Sequence, residues 1–319
     1  MDVAVSPLPA SSSDPLRGIL ASPCHRSQLE PDSRWNSRQP VLRCSTCGTE
    51  FHARQGVYDF RLKHSNGTGA HSSFESQWQR YQRGEFEHDT LYGADADAEL
   101  KTALDAFGAS AGTVAGSWIL DAGCGSGRLG NSLARLGANV VSVDLADTIR
   151  LLARRNRQPN LHYLQADLMF PPLEANIFDR VWSAGVLHHI ADPHRAFDRL
   201  AALVRPGGTL SIWLYSAERF SPFLAIRRIL PFVSRMPEPA AAALCRALAI
   251  PLYVAGTGAP MIGRRRLPLA TVRFGLYDSL TPRYQSRHTE REVRNWFVAN
   301  GFVRIRKWSE LGLTAERSG

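Results

Sequence analysis

Trp118-Ile-Leu-Asp-Ala-Gly-Cys-Gly-Ser-Gly-Arg-Leu-Gly130 is the stretch that decides the fold. Its apolar start is typical of a buried parallel strand, and this strand ends at Asp121. The alternating glycines Gly123, Gly125 and Gly127 follow, and then leucines recur at the spacing of one buried helix face. A strand, a glycine turn and a helix bring bare backbone and a helix N-terminus up to a ligand. The stretch therefore predicts an α/β fold with a nucleotide-like ligand at the turn.

Two kinds of ligand fit this turn. Gly125-Ser-Gly-Arg-Leu-Gly130 matches the G-x-G-x-x-G pattern of dinucleotide sites, with Asp144 at the distance of a ribose-binding acid. Asp121 argues against a dinucleotide, because we expect its carboxylate to be aimed at the crevice, where a pyrophosphate needs neutral or positive surroundings. A carboxylate there suits a ligand with a cationic ammonium and a sulfonium. On the motif alone, a dinucleotide enzyme stays open.

Five blocks of sequence resemble the ordered motifs of class I S-adenosylmethionine (SAM)-dependent methyltransferases of the type 11 family. They are Asp121–Gly127, Asn139–Asp144, Gln165–Leu168, Phe178–His189 and Val204–Tyr215, within a span that makes up about a third of the chain. The resemblance implies a Rossmann-like, doubly wound, mostly parallel sheet of seven strands, with SAM as cofactor.

The resemblance also implies which residues hold the cofactor. Asp144 would bind the ribose hydroxyls, Asp167 the adenine amino group, and Asp121 the methionine ammonium through backbone or water. The full expected set is Asp121, Gly123, Gly125, Gly127, Asp144, Leu145, Asp167, Leu168 and Ser183, with Trp78 and Tyr81 from a helix that closes over the cofactor. Simple packing of that helix on the core is the alternative for the last two.

Methyl transfer from SAM is an in-line displacement at carbon, so the main task of the chain is alignment. A hydroxyl that is not acidic also needs a base. His188 and His189 follow the fourth strand directly, and histidine titrates near neutrality. We favour His188 as base over His189, with His288 as a weaker candidate; a histidine that only positions the loop is the alternative. Substrate contacts are expected from Tyr215, Tyr277 and Tyr284, the last two in a substrate-facing loop over 277–288.

A short module near the start resembles the zinc ribbon attached to some bacterial methyltransferases. Its second knuckle, Cys44-Ser-Thr-Cys47, is intact, but the first is broken, with Ser22 and His25 in the cysteine places and Cys24 between them. A set drawn from Cys24 or His25, Cys44 and Cys47, with His52 as a further candidate, could bind structural zinc. The degraded knuckle favours a metal-free remnant of the ribbon instead.

These patterns divide the chain into six segments. We expect a disordered tail (1–17), the zinc-ribbon-like module (18–64), a linker with N-terminal helices (65–116), the SAM-binding core (117–215), a helical lid or substrate insertion (216–284) and a C-terminal completion of the core (285–319). An insertion at 216 would lie over the carboxyl ends of the strands, where ligands bind in such sheets. For its apolar run 220–233, a plain lid helix is favoured over a membrane-seeking one.

Composition limits the broad class. No run approaches the roughly 20 apolar residues of a membrane span. Residues 1–14 lack the features of a signal peptide, and five cysteines suit a reducing cytoplasm better than a disulfide scaffold. The net charge of +9 comes almost entirely from scattered arginines, since three of the 38 basic residues are lysines. Nucleic acid is therefore an unlikely partner.

The expected activity is methyl transfer from SAM to a hydroxyl, or an amine, of a small metabolite such as a sugar or a biosynthetic intermediate. An RNA base methyltransferase is the alternative, hinted at by Arg34, Trp35, Arg38 and Arg43 in the ribbon. A non-catalytic SAM-binding or partner-stabilising protein is a third interpretation, against which the intact glycine motif argues. Nothing in the sequence indicates the oligomeric state.

Overall fold

The structure, a computed structural model, describes residues 16, 18–32, 40–62, 70–85, 94–218, 221–255 and 268–319. The predicted disordered tail, Leu16 excepted, lies outside these residues. So do Arg34, Trp35 and Arg38, and most of the linker predicted after the ribbon.

The described strands form one sheet with the order β1-β2-β3-β4-β7-β6-β5-β8-β9-β11-β10. Their bounds are β1 (Leu29–Pro31), β2 (Val41–Cys44), β3 (Glu50–Arg54), β4 (Val57–Asp59), β5 (Trp118–Ala122), β6 (Asn139–Asp144), β7 (Leu161–Gln165), β8 (Phe178–Ala184), β9 (Val204–Trp213), β10 (Phe302–Lys307) and β11 (Gly312–Arg317). Strands β5 to β9 are mutually parallel, and β11 and β10 close that edge in antiparallel pairing.

The expected count of seven strands describes the core from β7 to β10, but the whole sheet is larger. The ribbon strand β4 pairs in parallel with β7, where Tyr58 lies opposite Leu164. Just beyond it, the Phe60 N–H donates to the Gln165 carbonyl at 2.8 Å. The ribbon module therefore extends the core sheet to eleven strands and does not stand apart from it.

Helices cover both faces of the sheet. Their bounds are α1 (Ala70–Gln82), α2 (Ala96–Phe107), α3 (Ala111–Val114), α4 (Arg128–Arg135), α5 (Ile149–Arg155), α6 (Pro193–Ala201), α7 (Pro222–Ile229), α8 (Glu238–Ala255), α9 (Leu269–Leu280) and α10 (Glu290–Ala299). Successive strand residues point to opposite faces. Ile119 of β5 packs in the cluster of α2 and α4, and its neighbour Leu120 in the cluster of α6 and α10. The sheet is therefore doubly wound, as expected.

The helix ends follow local sequence signals. The Asp192 side chain accepts the Arg195 N–H at the start of α6, with Pro193 in the first turn. Thr289 accepts the Glu292 N–H at the start of α10. Both caps lie just after loops at the carboxyl edge of the sheet, so they fix where those loops end.

The insertion between β9 and β10 carries α7, α8 and α9. Together with α1 these helices bury a third apolar cluster, which includes Tyr81, Cys245 and Leu276. None of the described helices is long and apolar enough to cross a membrane.

Candidate active site

The glycine turn after β5 has left-handed backbone at each of its three glycines. The φ angles of Gly123, Gly125 and Gly127 are +83°, +50° and +73°, a region that glycine enters without steric cost. A Cβ on Gly125 would lie 2.3 Å from the Trp78 ring, and one on Gly123 would lie 2.4 Å from Val186. The turn is thus covered by α1 on one side and by the loop after β8 on the other.

Asp144 ends β6 beside this turn. One carboxylate oxygen accepts the Gly125 N–H at 2.8 Å, and the other accepts the Ala146 N–H at 2.9 Å. Burial raises the pKa of Asp144, and these N–H donors partly offset the rise. The Leu145 N–H is a third donor to this carboxylate, which leaves about one of its four lone-pair sites for a further donor.

Asp121 lies differently from the expectation. The residue is only 4% exposed, and its carboxylate accepts the Gly130 N–H in the first turn of α4 and lies 3.5 Å from the Ser142 hydroxyl. Burial, together with Glu99 and Asp144, raises the pKa of Asp121 to about 7. The carboxylate therefore lies under α4 rather than aimed at the crevice, and it reaches a ligand only through the turn it supports.

The remaining predicted cofactor residues have varied surroundings. Asp167, after β7, accepts the Met169 N–H at 2.9 Å, and burial raises its pKa. Leu168 is buried, and the Leu145 carbonyl accepts from Gln165 Nε2 at 3.1 Å. Ser183 is fully buried and donates to the Ala122 carbonyl at 3.0 Å. Ser183 thus joins β8 to the end of β5.

Helix α1 spans the carboxyl edge of the sheet. Glu75 accepts the Asp147 N–H near the end of β6, and Phe74 packs edge-on against His189 at 4.9 Å between ring centroids. Trp78 lies between these contacts, on the glycine turn. Tyr81 is directed elsewhere, into the apolar cluster of the insertion. Of the two aromatic residues predicted to cover the cofactor, only Trp78 touches the turn.

His188 and His189 follow β8 in a short 3₁₀ turn at the same edge. His188 is fully buried, with its ring 4.0 Å from Tyr215 and 4.2 Å from His189. Neither of its ring nitrogens has a hydrogen-bond partner among the described residues. Burial, with the neighbouring His189 and His288, holds the pKa of His188 well below its usual value. The ring is therefore neutral at pH 7.

His189 has an oriented ring. Its Nδ1 lies 3.2 Å from the Tyr284 carbonyl oxygen, and a carbonyl can only accept, so Nδ1 carries the proton and Nε2 a lone pair. That Nε2 lies 4.0 Å from a carboxylate oxygen of Asp278. Burial lowers the pKa of His189, while Asp278 and the Tyr284 carbonyl oppose the shift.

Two other predicted residues are engaged elsewhere. His288 lies between the Ser286 hydroxyl at 2.7 Å and Glu292 at 2.9 Å, so both of its ring nitrogens have partners. Tyr277 lies in α9, where its hydroxyl donates to Glu238 at 3.0 Å and burial raises its pKa to about 12. The expectation of a loop over 277–288 is wrong at its start, because α9 continues to Leu280.

The site also contains residues absent from the prediction. Asp278 of α9 is 4% exposed; it accepts from the Tyr215 hydroxyl at 2.5 Å and from Gln77 Nε2 at 3.1 Å. Gln77 comes from α1, 201 positions away in sequence. Asp278 lies in the stretch 277–288 that the sequence predicted to face the substrate, but no local signal marked Gln77 as its partner.

The ribbon brings four potential metal ligands together. The donor atoms of Cys24, His25, Cys44 and Cys47 all lie within 4.8 Å of one another, with the Cys24 and Cys47 sulfurs 3.5 Å apart. Burial raises the pKa of Cys44, but hydrogen bonds from Ser22 and other donors outweigh it and bring the pKa to about 5. Three thiols and an imidazole suit tetrahedral zinc. His52 is exposed and lies beside Glu50, outside this cluster.

Comparison with known proteins identifies the core. Residues 120–212 match the family described as "Methyltransferase domain". Over these residues, which include the glycine turn, the chain is similar to methyltransferase domains.

Relatives and solved structures resemble this chain over different lengths. The ubiquinone biosynthesis O-methyltransferase of Coxiella burnetii is 36% identical over 101 residues, 31% of this chain and 43% of that protein. An uncharacterised methyltransferase of Mycobacterium bovis is 42% identical over 95 residues, 30% of this chain and 48% of that protein. The chain thus spans less than half the length of these curated relatives. A magnesium protoporphyrin IX methyltransferase of Synechocystis, solved with bound SAH, is 18% identical with a TM-score of 0.46, covering 78% of this chain and 96% of that one.

Proposed function

We propose that this protein transfers the methyl group of SAM to a hydroxyl, or an amine, of a small metabolite. One observation carries the proposal. The glycine turn and Asp144 lie at the same edge of the sheet as the His188–His189 pair, and α1 touches both through Trp78 and Phe74. The proposed cofactor subsite and a candidate base therefore lie at one edge of the sheet, and both are in contact with α1.

The residues at the turn fit SAM. Bare backbone at Gly123 and Gly125 allows close approach, and the Asp144 carboxylate keeps a lone-pair site for a ribose hydroxyl. When bound, SAM supplies a methyl group on a sulfonium that is already a good leaving group. Asp167 lies after β7, next along the sheet from β6, where the adenine amino group would lie.

For the acceptor, the chain's own residues provide a buried polar wall. Tyr215 and the two histidines meet there, and we propose that the insertion carrying α7, α8 and α9 acts as a lid over it. Alignment of acceptor and cofactor in such a pocket can supply roughly 7–11 kcal/mol. A histidine that takes the proton from a hydroxyl can add about 10²–10⁴-fold.

The test is SAH formation from SAM with a panel of hydroxyl acceptors: a catechol, an aliphatic alcohol and a hexose. We expect turnover with at least one acceptor, lost in Asp144→Ala and kept in Asp105→Ala, whose carboxylate is exposed on α2. Tight SAH binding with no turnover on any of the panel, on amines or on RNA would contradict the enzyme proposal and favour a non-catalytic SAM-binding protein.

The described ribbon does not favour RNA. Arg43, one of the basic residues behind that alternative, is neutralised by Asp32 and Glu50. A nucleic-acid face needs unpaired cations toward the phosphates. RNA is therefore included only as an additional acceptor in the activity test.

We further propose that the ribbon holds one structural zinc through Cys24, His25, Cys44 and Cys47. The convergence of all four donor atoms supports this more than the sequence did, since Cys24 and His25 take the place of the missing knuckle. None of the described cysteines is in a disulfide, so their thiols are available as ligands. Metal analysis of protein purified without added zinc should give about one equivalent; under ~0.2 would contradict the site.

A further inference from the structure

A buried carboxylate from the insertion lies at the catalytic edge of the sheet. Asp278 of α9 accepts from the Tyr215 hydroxyl at 2.5 Å through Oδ2 and from Gln77 at 3.1 Å through Oδ1. The same Oδ2 lies 4.0 Å from Nε2 of His189. A carboxylate that is 4% exposed needs such partners, and here they come from α1, from β9's loop and from the histidine pair.

In the neutral state of the His189 ring, its Nε2 and the Oδ2 of Asp278 are two hydrogen-bond acceptors that face each other. Because Nδ1 donates to the Tyr284 carbonyl, Nε2 presents a lone pair toward a negatively charged oxygen. Nε2 has no hydrogen-bond partner among the described residues. The Tyr284 carbonyl orients the ring through Nδ1, as a third group does for a general base. A proton that arrives on Nε2 converts the repulsion from Asp278 into attraction.

We propose that His189, not His188, is the base, and that Asp278 is a positioning residue supplied by the lid to stabilise the protonated ring. This inference rests on the proposed function and narrows it. It assigns the acceptor to hydroxyl compounds that keep their proton at neutral pH, such as alcohols, since those acceptors need a base.

A lone pair of the acceptor oxygen forms the new O–C bond to the methyl carbon while the C–S bond breaks, and its electron pair stays on sulfur to give SAH. The O–H proton passes to Nε2 of His189, which becomes an imidazolium beside Asp278. Release of that proton to solvent restores the neutral ring.

His188 lacks the features of a base. Its ring is packed between Tyr215 and His189, and neither nitrogen is oriented by a described partner. A general base is normally held by a third group. His188 contributes its carbonyl instead, which accepts the Ser286 N–H at 2.8 Å and ties the loop of 281–288 to the 3₁₀ turn.

Charged groups from several elements act on His189. Asp278 of α9 favours the imidazolium, whereas Arg227 of α7 disfavours it. Tyr215 lies 5.7 Å away between ring centroids, His188 is adjacent on the same turn, and Phe74 of α1 is apolar. Asp278 is the one carboxylate within 4.0 Å among the described residues, so replacing Asp278 with asparagine should lower the pKa of His189 further.

The first test is nuclear magnetic resonance of protein labelled with ¹⁵N and ¹³C in histidine, with the His189 signals assigned by their loss in His189→Gln. We expect a neutral ring with the proton on Nδ1, and a pKa that falls by about one unit or more in Asp278→Asn. Asp105→Asn is the matched control and should not move it. A proton on Nε2 of His189, or a pKa indifferent to Asp278→Asn, would overturn the proposal whatever the acceptor.

The second test uses the aliphatic alcohol of the acceptor panel at saturating SAM. Asp278→Asn should lower kcat about tenfold or more and shift the acidic limb of its pH profile downward, because a weaker base deprotonates at lower pH. His189→Gln should lower kcat about a hundredfold, with SAH affinity unchanged. If the wild type binds no SAH, the proposed function has failed; if it turns over and His189→Gln does too, only this inference has failed.

Discussion

Trp78 packs directly on Gly125. A Cβ added to Gly125 would lie 2.3 Å from Cζ2 of the Trp78 ring, so helix α1 and the glycine turn are in contact at one point. Helix α1 also meets the His189 ring through Phe74, so the same helix contacts the glycine turn and the proposed base.

Gly125→Ala should weaken SAH binding and destabilise the protein. Alanine at φ +50° is strained, and its methyl group must displace the Trp78 ring. Overpacking of this kind costs about 1–3 kcal/mol. Gly116→Ala is the matched control, because Gly116 has a φ of +75° but no atom within 4 Å of an added Cβ. Calorimetry with SAH and urea unfolding of both variants measure the difference; equal effects would mean that the Trp78 contact is irrelevant.

Asp121 should make stability fall as the pH rises. Its folded pKa of about 7 lies above the unfolded value. Its contribution is therefore fully present below the unfolded pKa and is lost as the pH rises through 7. Relative to Asp121→Asn, the wild type should lose about 2–3 kcal/mol of unfolding free energy between pH 5 and pH 8. Urea titrations at both pH values check this, and a parallel pH dependence of the two proteins would be inconsistent with a buried ionisable Asp121.

Arg227 should fix the position of the end of α9 in the proposed lid. Its guanidinium donates to the carbonyls of Ser279, Leu280 and Pro282 at 3.0, 3.2 and 2.8 Å, at the end of α9 just after Asp278. Charge-assisted hydrogen bonds contribute about 1.5–3 kcal/mol each when buried. Arg227→Ala should therefore raise the KM for the acceptor and speed hydrogen exchange over 276–284, while SAH affinity stays unchanged.

The exposed neighbour Arg228 provides the control for that variant, since its replacement by alanine should leave exchange over 276–284 as in the wild type. If hydrogen exchange over 276–284 in Arg227→Ala stays as slow as in the wild type, the end of α9 is fixed by packing alone.

Zinc binding should stabilise the edge of the core sheet as well as the ribbon. Strand β4 pairs with β7, and the Phe60 N–H bonds to the Gln165 carbonyl. Cys47→Ser should lower zinc content and speed exchange of the Phe60 amide, because a structural metal contributes folding free energy. Cys245→Ser, a buried cysteine of α8 outside the cluster, should change neither.

Local signals in the sequence were enough for the core and its helix caps. The strand that contains Asp121, the glycine turn and the Thr289 cap are each specified by adjacent residues, and the structure has all three, with the strand ending one residue later than expected, at Ala122. Adjacent residues do not specify the direction of the Asp121 carboxylate, because a side chain at a strand end can turn into the crevice or under the following helix. Only its packing against Gly130 and Ser142 decides between the two.

The features that were missed depend on contacts between distant segments. Strand β4 is three residues long, and nothing local specifies that it pairs with β7. The role of Asp278 depends on hydrogen bonds from Gln77 and Tyr215, which lie 201 and 63 positions away in the sequence. The orientation of His189 likewise comes from a backbone carbonyl, that of Tyr284, which leaves no mark in the sequence.

Calorimetry with SAH, with NAD as a control ligand, tests the central claim most directly. We expect micromolar SAH binding, no NAD binding, and loss of SAH binding in Asp144→Ala, because that carboxylate accepts the Gly125 N–H of the turn and is the proposed ligand of the ribose. Binding of NAD in place of SAH, or SAH binding unaffected by Asp144→Ala, would contradict a SAM site at this glycine turn.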